Sequence, residues 1–263
     1  MTQIANSILD RVEQDDTAVG LIVRTVKSGE IAMIAKVCDF DFVFIDAQHA
    51  AFSVDVAAEI IEACVNAGIA SLVRTLGSHD PNIPLYLDAG ASGLIIPDVA
   101  TRAQAEKAVR AAKFPPLGRR SLPGLIRLLN YQTLPQRKTM DLCNERTLLI
   151  CMIESREGVK NADEILAVEG VDGVHLGCVD LLSDLGVGYS MEKPEFIQMV
   201  ESVIGAACRQ GKLAGLGGDR DNARVAAYIE KGARLVTAQL DTALLMSAAQ
   251  ARVSEIRNLT KAN

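Results

Sequence analysis

The chain has 263 residues, of which 49% are hydrophobic but only 4% aromatic, with no Trp and a formal net charge of −6. That length holds one large α/β barrel or two smaller domains. The acidic balance excludes nucleic acid and anionic membrane as general partners, since both require a basic surface.

The predicted elements alternate along the chain. Apolar, β-rich runs occupy 18–25 (AVGLIVRT), 41–48 (DFVFIDAQ), 70–75 (ASLVRT), 92–98 (SGLIIPD), 148–155 (LLICMIES), 171–177 (VDGVHLG), 212–218 (KLAGLGG) and 234–241 (RLVTAQLD). Amphipathic helical patterns lie between them at 54–68, 101–113, 194–211 and 221–233, with Thr101 and Asp221 as expected N-caps. Alternating β and α elements imply a parallel sheet, and a Val-, Ile- and Leu-rich core suits strands covered on both faces. Eight units match a single closed (β/α)8 barrel over 1–263 better than an open sheet. No GxGxxG turn follows a strand, which weakens a dinucleotide-binding reading.

One connection, 114–147, runs for over thirty residues between a helix and a strand. It carries Arg119, Arg120, Arg127, Arg137, Lys138 and Arg146 against Asp141 and Glu145. A solvated basic insertion or subunit contact is one reading, and a lid or anion clamp is the other. The six cysteines, Cys38, Cys64, Cys143, Cys151, Cys178 and Cys208, form no CxxC pair and are expected to be free thiols. With no targeting segment and no run of membrane-spanning length, a cytoplasmic location is expected.

Barrel enzymes build their sites at the C-terminal ends of the strands. Here those ends offer Asp46, Gln48 and His49 after strand two, Arg74 after strand three, and Asp98 after strand four. Glu154 follows strand five, and Gly177, Cys178, Val179 and Asp180 follow strand six. Glu154 and Asp180 come from neighbouring strands, so they can converge on one Mg²⁺- or Mn²⁺-type cation, with Co²⁺ a further candidate. Each can instead serve a helix N-terminus. Arg74 either pairs with Asp98 or Asp46 or offers a planar fork to a substrate anion. His49 is either a loop histidine satisfied by Asp46 or a proton carrier whose ring an acid orients. His175 lies inside a strand, short of the rim, and His79 lies in a polar turn; neither is expected in the site.

The runs FDFVFIDAQHAAFS, SLVRT, LDAGASGLIIPDV, FPPLGRR and MIESREGVKNADEILAVEGVDGVHLGCVDL resemble, in that order, the metal-dependent pyruvate aldolases of the HpcH/HpaI family, of the 4-hydroxy-2-oxoheptane-1,7-dioate aldolase type. The resemblance spans residues 18–245 and implies a β/α barrel with Glu154 and Asp180 as metal ligands. It also implies Arg74 as the pyruvate-binding arginine and His49 with Asp46 as the catalytic histidine and its acid. Asp88, in LDAG, matches an acid that reaches a neighbouring subunit's active site. Members are hexamers built as trimers of dimers that exchange a C-terminal helix, here within 242–258.

Several positions depart from the family pattern. Gln48 stands for a Glu, Met152 for a Gln, Cys178 and Val179 for the Pro and Ala of a GPAD turn, Ser121 for a Gly, and Asp98 for Met or His. These surround the pocket and leave the acceptor open. The expected reaction is reversible aldol cleavage of a 4-hydroxy-2-oxo acid to pyruvate, or a related 2-oxo acid, and an aldehyde. Gln48 and Asp98 are expected beside the acceptor. The alternatives are an oxaloacetate-type decarboxylase, an enolate-using synthase such as macrophomate synthase, or a non-catalytic barrel subunit.

Overall fold

The computed structural model describes residues 6–186 and 188–259; the outer ends of the expected domain, 1–5 and 260–263, lie outside the described residues. Eight parallel strands close into a barrel in sequence order: β1 (Ala18–Val23), β2 (Phe42–Asp46), β3 (Ala70–Arg74), β4 (Gly93–Ile96), β5 (Leu148–Ile153), β6 (Gly173–Gly177), β7 (Leu213–Gly217) and β8 (Leu235–Leu240). The expected (β/α)8 architecture is the one observed. Closure runs through β1 and β8, which pair from Ala18–Leu235 to Ile22–Leu240 with a register shift between Gly20 and Leu21.

Successive strand residues point to opposite faces, so each strand divides its side chains between two cores. Val43, Ile45, Val73, Leu149, Cys151, Ile153, Val174 and Leu176 pack outward against the helices. Phe42, Phe44, Leu72, Ile150 and Met152 fill the barrel interior. The same alternation carried to the strand ends places Asp46, Arg74, Glu154, His175 and Gly177 in the inward phase. The site residues are therefore the uppermost layers of the barrel core.

The helices start and stop where local chemistry allows. Ser53 caps Val54–Ala67 through the Val56 N–H, and Gly68 ends it at φ 66°. Thr101 and Gln104 form a capping box on Arg102–Ala112, and Asp221 caps Asn222–Glu230, so both expected caps are in place. The Asp241 carboxylate, just after β8, accepts N–H bonds from Arg24 at 3.3 Å and from Thr25 and Val26 at 2.9 Å. That contact ties the turn after β1 to the end of β8.

The 114–147 connection is not a plain loop. It contains a 3-10 turn at Arg127–Leu129 and a helix at Gln136–Arg146, around a small core of Phe114, Ile126, Leu129 and Cys143. The helix (QRKTMDLCNER) is too polar to show an apolar period, because only a narrow face of it is buried. Arg120 pairs with Asp88 at 2.6 Å and stacks over Phe114, Arg127 pairs with Glu62 at 2.8 Å, and Arg146 reaches Asp10 and Glu13. Those cations hold the flank of the barrel, and the anion-clamp expectation finds no support in them.

Lys113, only 1% exposed, anchors the start of this segment. Its Nζ donates to Asn144 O at 2.9 Å, Thr147 O at 2.6 Å and Asp172 Oδ2 at 2.7 Å. Removing one partner of a buried ion pair strands the others. Lys113→Met is expected to lower unfolding free energy by about 3 kcal/mol, read from urea denaturation; an unchanged midpoint would contradict the anchoring role.

Candidate active site at the C-terminal mouth of the barrel

Asp46 ends β2 with its side chain fully buried. Arg74, at the end of β3 and in register with it, donates Nε to Oδ1 at 2.9 Å and Nη2 to Oδ2 at 2.6 Å. Arg24 also donates to Oδ2 through Nε. The backbone N–H groups of Gln48 and His49 donate to Oδ1 at 3.2 and 3.1 Å. Burial pushes the Asp46 carboxyl up, but the hydrogen bond and charge of Arg74, aided by Arg24, hold it below the usual carboxylate range.

These contacts resolve the openings left by the sequence. Arg74 pairs with Asp46 rather than Asp98, yet only through two of its nitrogens; Nη1 faces Met152, 3.8 Å from its Sδ. Asp46 touches His49 at the main chain and not at the ring, so it shapes the turn that presents the imidazole. The two Asp46 oxygens are already taken by arginines and amides, which leaves the orienting of the ring, expected of Asp46 or another acid, to some other group. The His49 ring lines the mouth and is exposed.

Across the mouth lies a cleft of about 390 Å³ lined by Asp98, Glu154, Ser155, Asp180, Ser183 and Asp184. It holds four carboxylates and no cationic side chain. Neither Glu154 nor Asp180 is used as a helix cap. Ser155 caps the helix Arg156–Lys160, and Cys178–Leu185 has no side-chain cap. Glu154 Oε1 accepts the Asp98 N–H at 2.8 Å, which Asp98 presents from a left-handed backbone with φ 56°. A non-glycine residue in that region is uncommon, and such strain collects at functional sites. Burial is the main cause that lifts the Glu154 carboxyl to about 7, and the charges of Asp98 and Asp180 add to it. A group held up in this way gains from a bound cation.

Gly177 is needed for this approach: a Cβ there would stand 2.6 Å from Glu154 Oε2. Among the described residues no three His, Cys, Asp or Glu side chains converge as a metal cluster. A Glu154–Asp180 pair would leave the other positions of a hard cation to substrate and water oxygens, which fits Mg²⁺ or Mn²⁺ chemistry.

The adjoining cleft, about 470 Å³, opens onto Arg24, Arg74, His49, His175, Arg220 and Thr237, with Gly177, Cys178, Val179 and Asp180 on one wall. The Cys178 side chain is fully buried, and burial pushes its thiol up to about 12, so it is no nucleophile at neutral pH. Val179 is 57% exposed at the rim. Gln48 Nε2 lies 3.5 Å from Asp98 Oδ2, tying two of the departures from the family pattern together. Asp88 stands apart from both clefts, on the flank, where Arg120 holds it.

Four residues in these clefts escaped the sequence reading. Arg24 follows LIV as Arg74 follows SLV, a repeated signal at two strand ends that the pairing with Asp46 explains. Arg220 donates Nη1 to Thr237 O at 3.1 Å and to Ala238 O, and nothing local marks it. Asp184 reaches the carboxylate cleft from a helix, one turn beyond Asp180. The sequence places His175 short of the rim, yet it lines the cleft.

Residues 25–248 match the family model described as HpcH/HpaI aldolase/citrate lyase. The chain is 33% identical over 249 residues to 4-hydroxy-4-methyl-2-oxoglutarate aldolase tasA of Hapsidospora irregularis, covering 93% of this chain and 92% of that protein. The HpcH/HpaI aldolase structure from Desulfitobacterium hafniense DCB-2 superposes with a TM-score of 0.86 at 29% identity, covering 95% of this chain and 96% of that one. The structure of citrate synthase SbnG gives a TM-score of 0.86 at 25% identity, with 98% and 100% covered. A match over most of the chain, carried by a barrel of the same shape, leads to one conclusion: this protein belongs to the HpcH/HpaI aldolase/citrate lyase family of carbon–carbon lyases.

Proposed function

We propose that the protein catalyses reversible aldol cleavage of a 4-hydroxy-2-oxo acid to pyruvate, or a related 2-oxo acid, and an aldehyde or ketone, using a divalent cation held by Glu154 and Asp180. The observation that carries this reading is the divided mouth: a carboxylate cleft without a cationic side chain meets a second cleft bearing three guanidiniums. When bound, the cation supplies Lewis-acid polarisation of the 2-oxo acid.

In cleavage the C4 hydroxyl loses its proton, the C3–C4 bond breaks, and its electron pair passes to the C2 oxygen as an enolate. Reprotonation at C3 completes the 2-oxo acid. Arg74, held rigid by its fork on Asp46, turns Nη1 toward the developing oxyanion, and such a preorganised donor needs no rearrangement as charge forms. His49 is assigned the proton transfer, because its imidazole is exposed at the mouth and its turn is fixed by Asp46. No lysine lines either cleft, which argues against a Schiff base. Gln48, Asp98 and the 177–179 backbone are assigned to the acceptor side.

A second reading, decarboxylation of an oxaloacetate-type acid or enolate addition by a synthase, is favoured by the likeness to a citrate synthase. A homo-oligomer is supported by the helix Asp241–Leu259, which leaves Leu244, Leu245, Met246, Val253, Ile256 and Leu259 exposed. Exchange of that helix between copies, in a hexamer, would cover them, and Asp88 would then serve a neighbouring copy's site. Six free cysteines and an acidic surface support a cytoplasmic location.

Three measurements test these assignments. Pyruvate with an aldehyde panel, and oxaloacetate alone, are assayed before and after chelation. Carbon–carbon exchange that vanishes with chelator and returns with Mg²⁺, Mn²⁺ or Co²⁺ is expected, and Glu154→Gln, Asp180→Asn and Gly177→Ala should each weaken the cation by about a hundredfold. Turnover that survives exhaustive chelation would sink the mechanism, and CO₂ release without exchange would favour the decarboxylase.

The depressed Asp46 carboxyl binds its proton less tightly folded than unfolded, so it stabilises the fold above the ordinary value of 3.8 and loses that effect as pH falls. Asp46→Asn should therefore cost about 3 kcal/mol at neutral pH, and the gap in Tm should narrow below pH 4. A gap independent of pH would contradict the ionised pair. Sedimentation should show a discrete homo-oligomer that Leu245→Glu with Ile256→Glu breaks into smaller species; an unaltered profile would exclude the helix as an interface.

A further inference from the structure

His175 is 2% exposed, yet neither Nδ1 nor Nε2 has a hydrogen-bond partner in the protein. Buried polar groups are ordinarily paired, and a ring with two unpaired nitrogens is costly where it serves no purpose. The residue borders the 470 Å³ cleft. Its strand phase is inward, with Met152 of β5 as its register partner and Gly215 of β7 on the other side. The β7 glycines give it room: a Cβ on Gly217 would lie 3.0 Å from Cε1.

Arg74 lines the same cleft. The guanidinium lies 5.5 Å over the Phe44 ring, and the His175 ring lies 6.1 Å from that same ring. Met152 likewise touches Arg74 Nη1 and neighbours His175 across the sheet. Arg74 and His175 therefore share Phe44 and Met152 as neighbours and line the same cleft. The nearby Thr237 hydroxyl does not bond the ring, because it is turned to Leu216 O at 3.4 Å.

We propose that His175 is a substrate-binding residue, whose ring N–H donates to an oxygen of the 2-oxo acid that Arg74 Nη1 also holds. The inference rests on the 2-oxo acid reading above and adds a second donor to it. Deep burial, with the Arg74 charge beside it, lowers the imidazole to about 3, so the ring is neutral in use and offers one donor and one acceptor. A neutral imidazole polarises an oxygen without surrendering a proton, a role distinct from that of the exposed His49.

The test uses the Mg²⁺-loaded protein and oxamate as a pyruvate mimic. His175→Phe keeps the ring shape and removes the donor; His175→Asn and His175→Gln restore one. His175→Phe is expected to weaken oxamate by about tenfold or more and to raise KM for the 2-oxo acid more than it lowers kcat. Mg²⁺ affinity and Tm should hold, with partial recovery of oxamate binding in the Asn or Gln variant. In the wild-type protein, ¹⁵N-labelled His175 should shift its ring resonances on oxamate addition. Wild-type oxamate affinity in His175→Phe, or unmoved ring resonances, overturns the inference while leaving the lyase reading intact. A parallel loss of Mg²⁺ affinity and Tm assigns the ring to structure and overturns it too. Failure of the wild-type protein to bind oxamate or turn over any 2-oxo acid overturns both.

Discussion

The fork between Arg74 and Asp46 is the constraint on which the mouth of the barrel depends. A fully buried carboxylate is tolerable only because two guanidiniums and two backbone amides converge on it. Every one of those partners matters to the site. Arg74 is aimed by it, Arg24 is drawn in from β1, and the turn carrying His49 is closed by it. Burying the charges costs much of what their attraction returns, so the pair's net stabilisation is far smaller than its contacts suggest.

Around that fork the protein separates two kinds of charge within one barrel mouth. The side built from the ends of β4, β5 and β6 gathers carboxylates, and the side nearer β1, β3 and β7 gathers arginines. Burial is the main reason the Glu154 carboxyl is raised, and the neighbouring carboxylates add to it. Under the proposed reading, a bound cation would offset the crowded carboxylates, while the guanidiniums lie on the other side of the mouth. Such a division suits a substrate that becomes more anionic as it reacts, because stabilising charge is already in place.

Much of this was legible in the residues. The eight strands follow from apolar runs of the right length, and period-two alternation sends Asp46, Arg74 and Glu154 inward from strands whose neighbours are uniformly apolar. A charged residue in that phase has nowhere to go but the barrel mouth. The helix at Gln136–Arg146 was less legible, because its buried face is too narrow to leave an apolar period. His175 obeys the same alternation as the others but lies deeper, and depth is not a local property. Its meaning appears only once the glycines of β7 and the ring of Phe44 are seen beside it.

Composition, strand phase and motif order by themselves determined the barrel, the rim and most of the residues facing it, since these depend on interactions between near neighbours along the chain. The tertiary structure alone decided which partners those residues take. Arg24 and Asp46 are 22 positions apart, Arg74 and Asp46 28, and Glu154 and the Asp98 amide 56. Such pairings are set by the closure and stagger of the barrel, which no local pattern encodes.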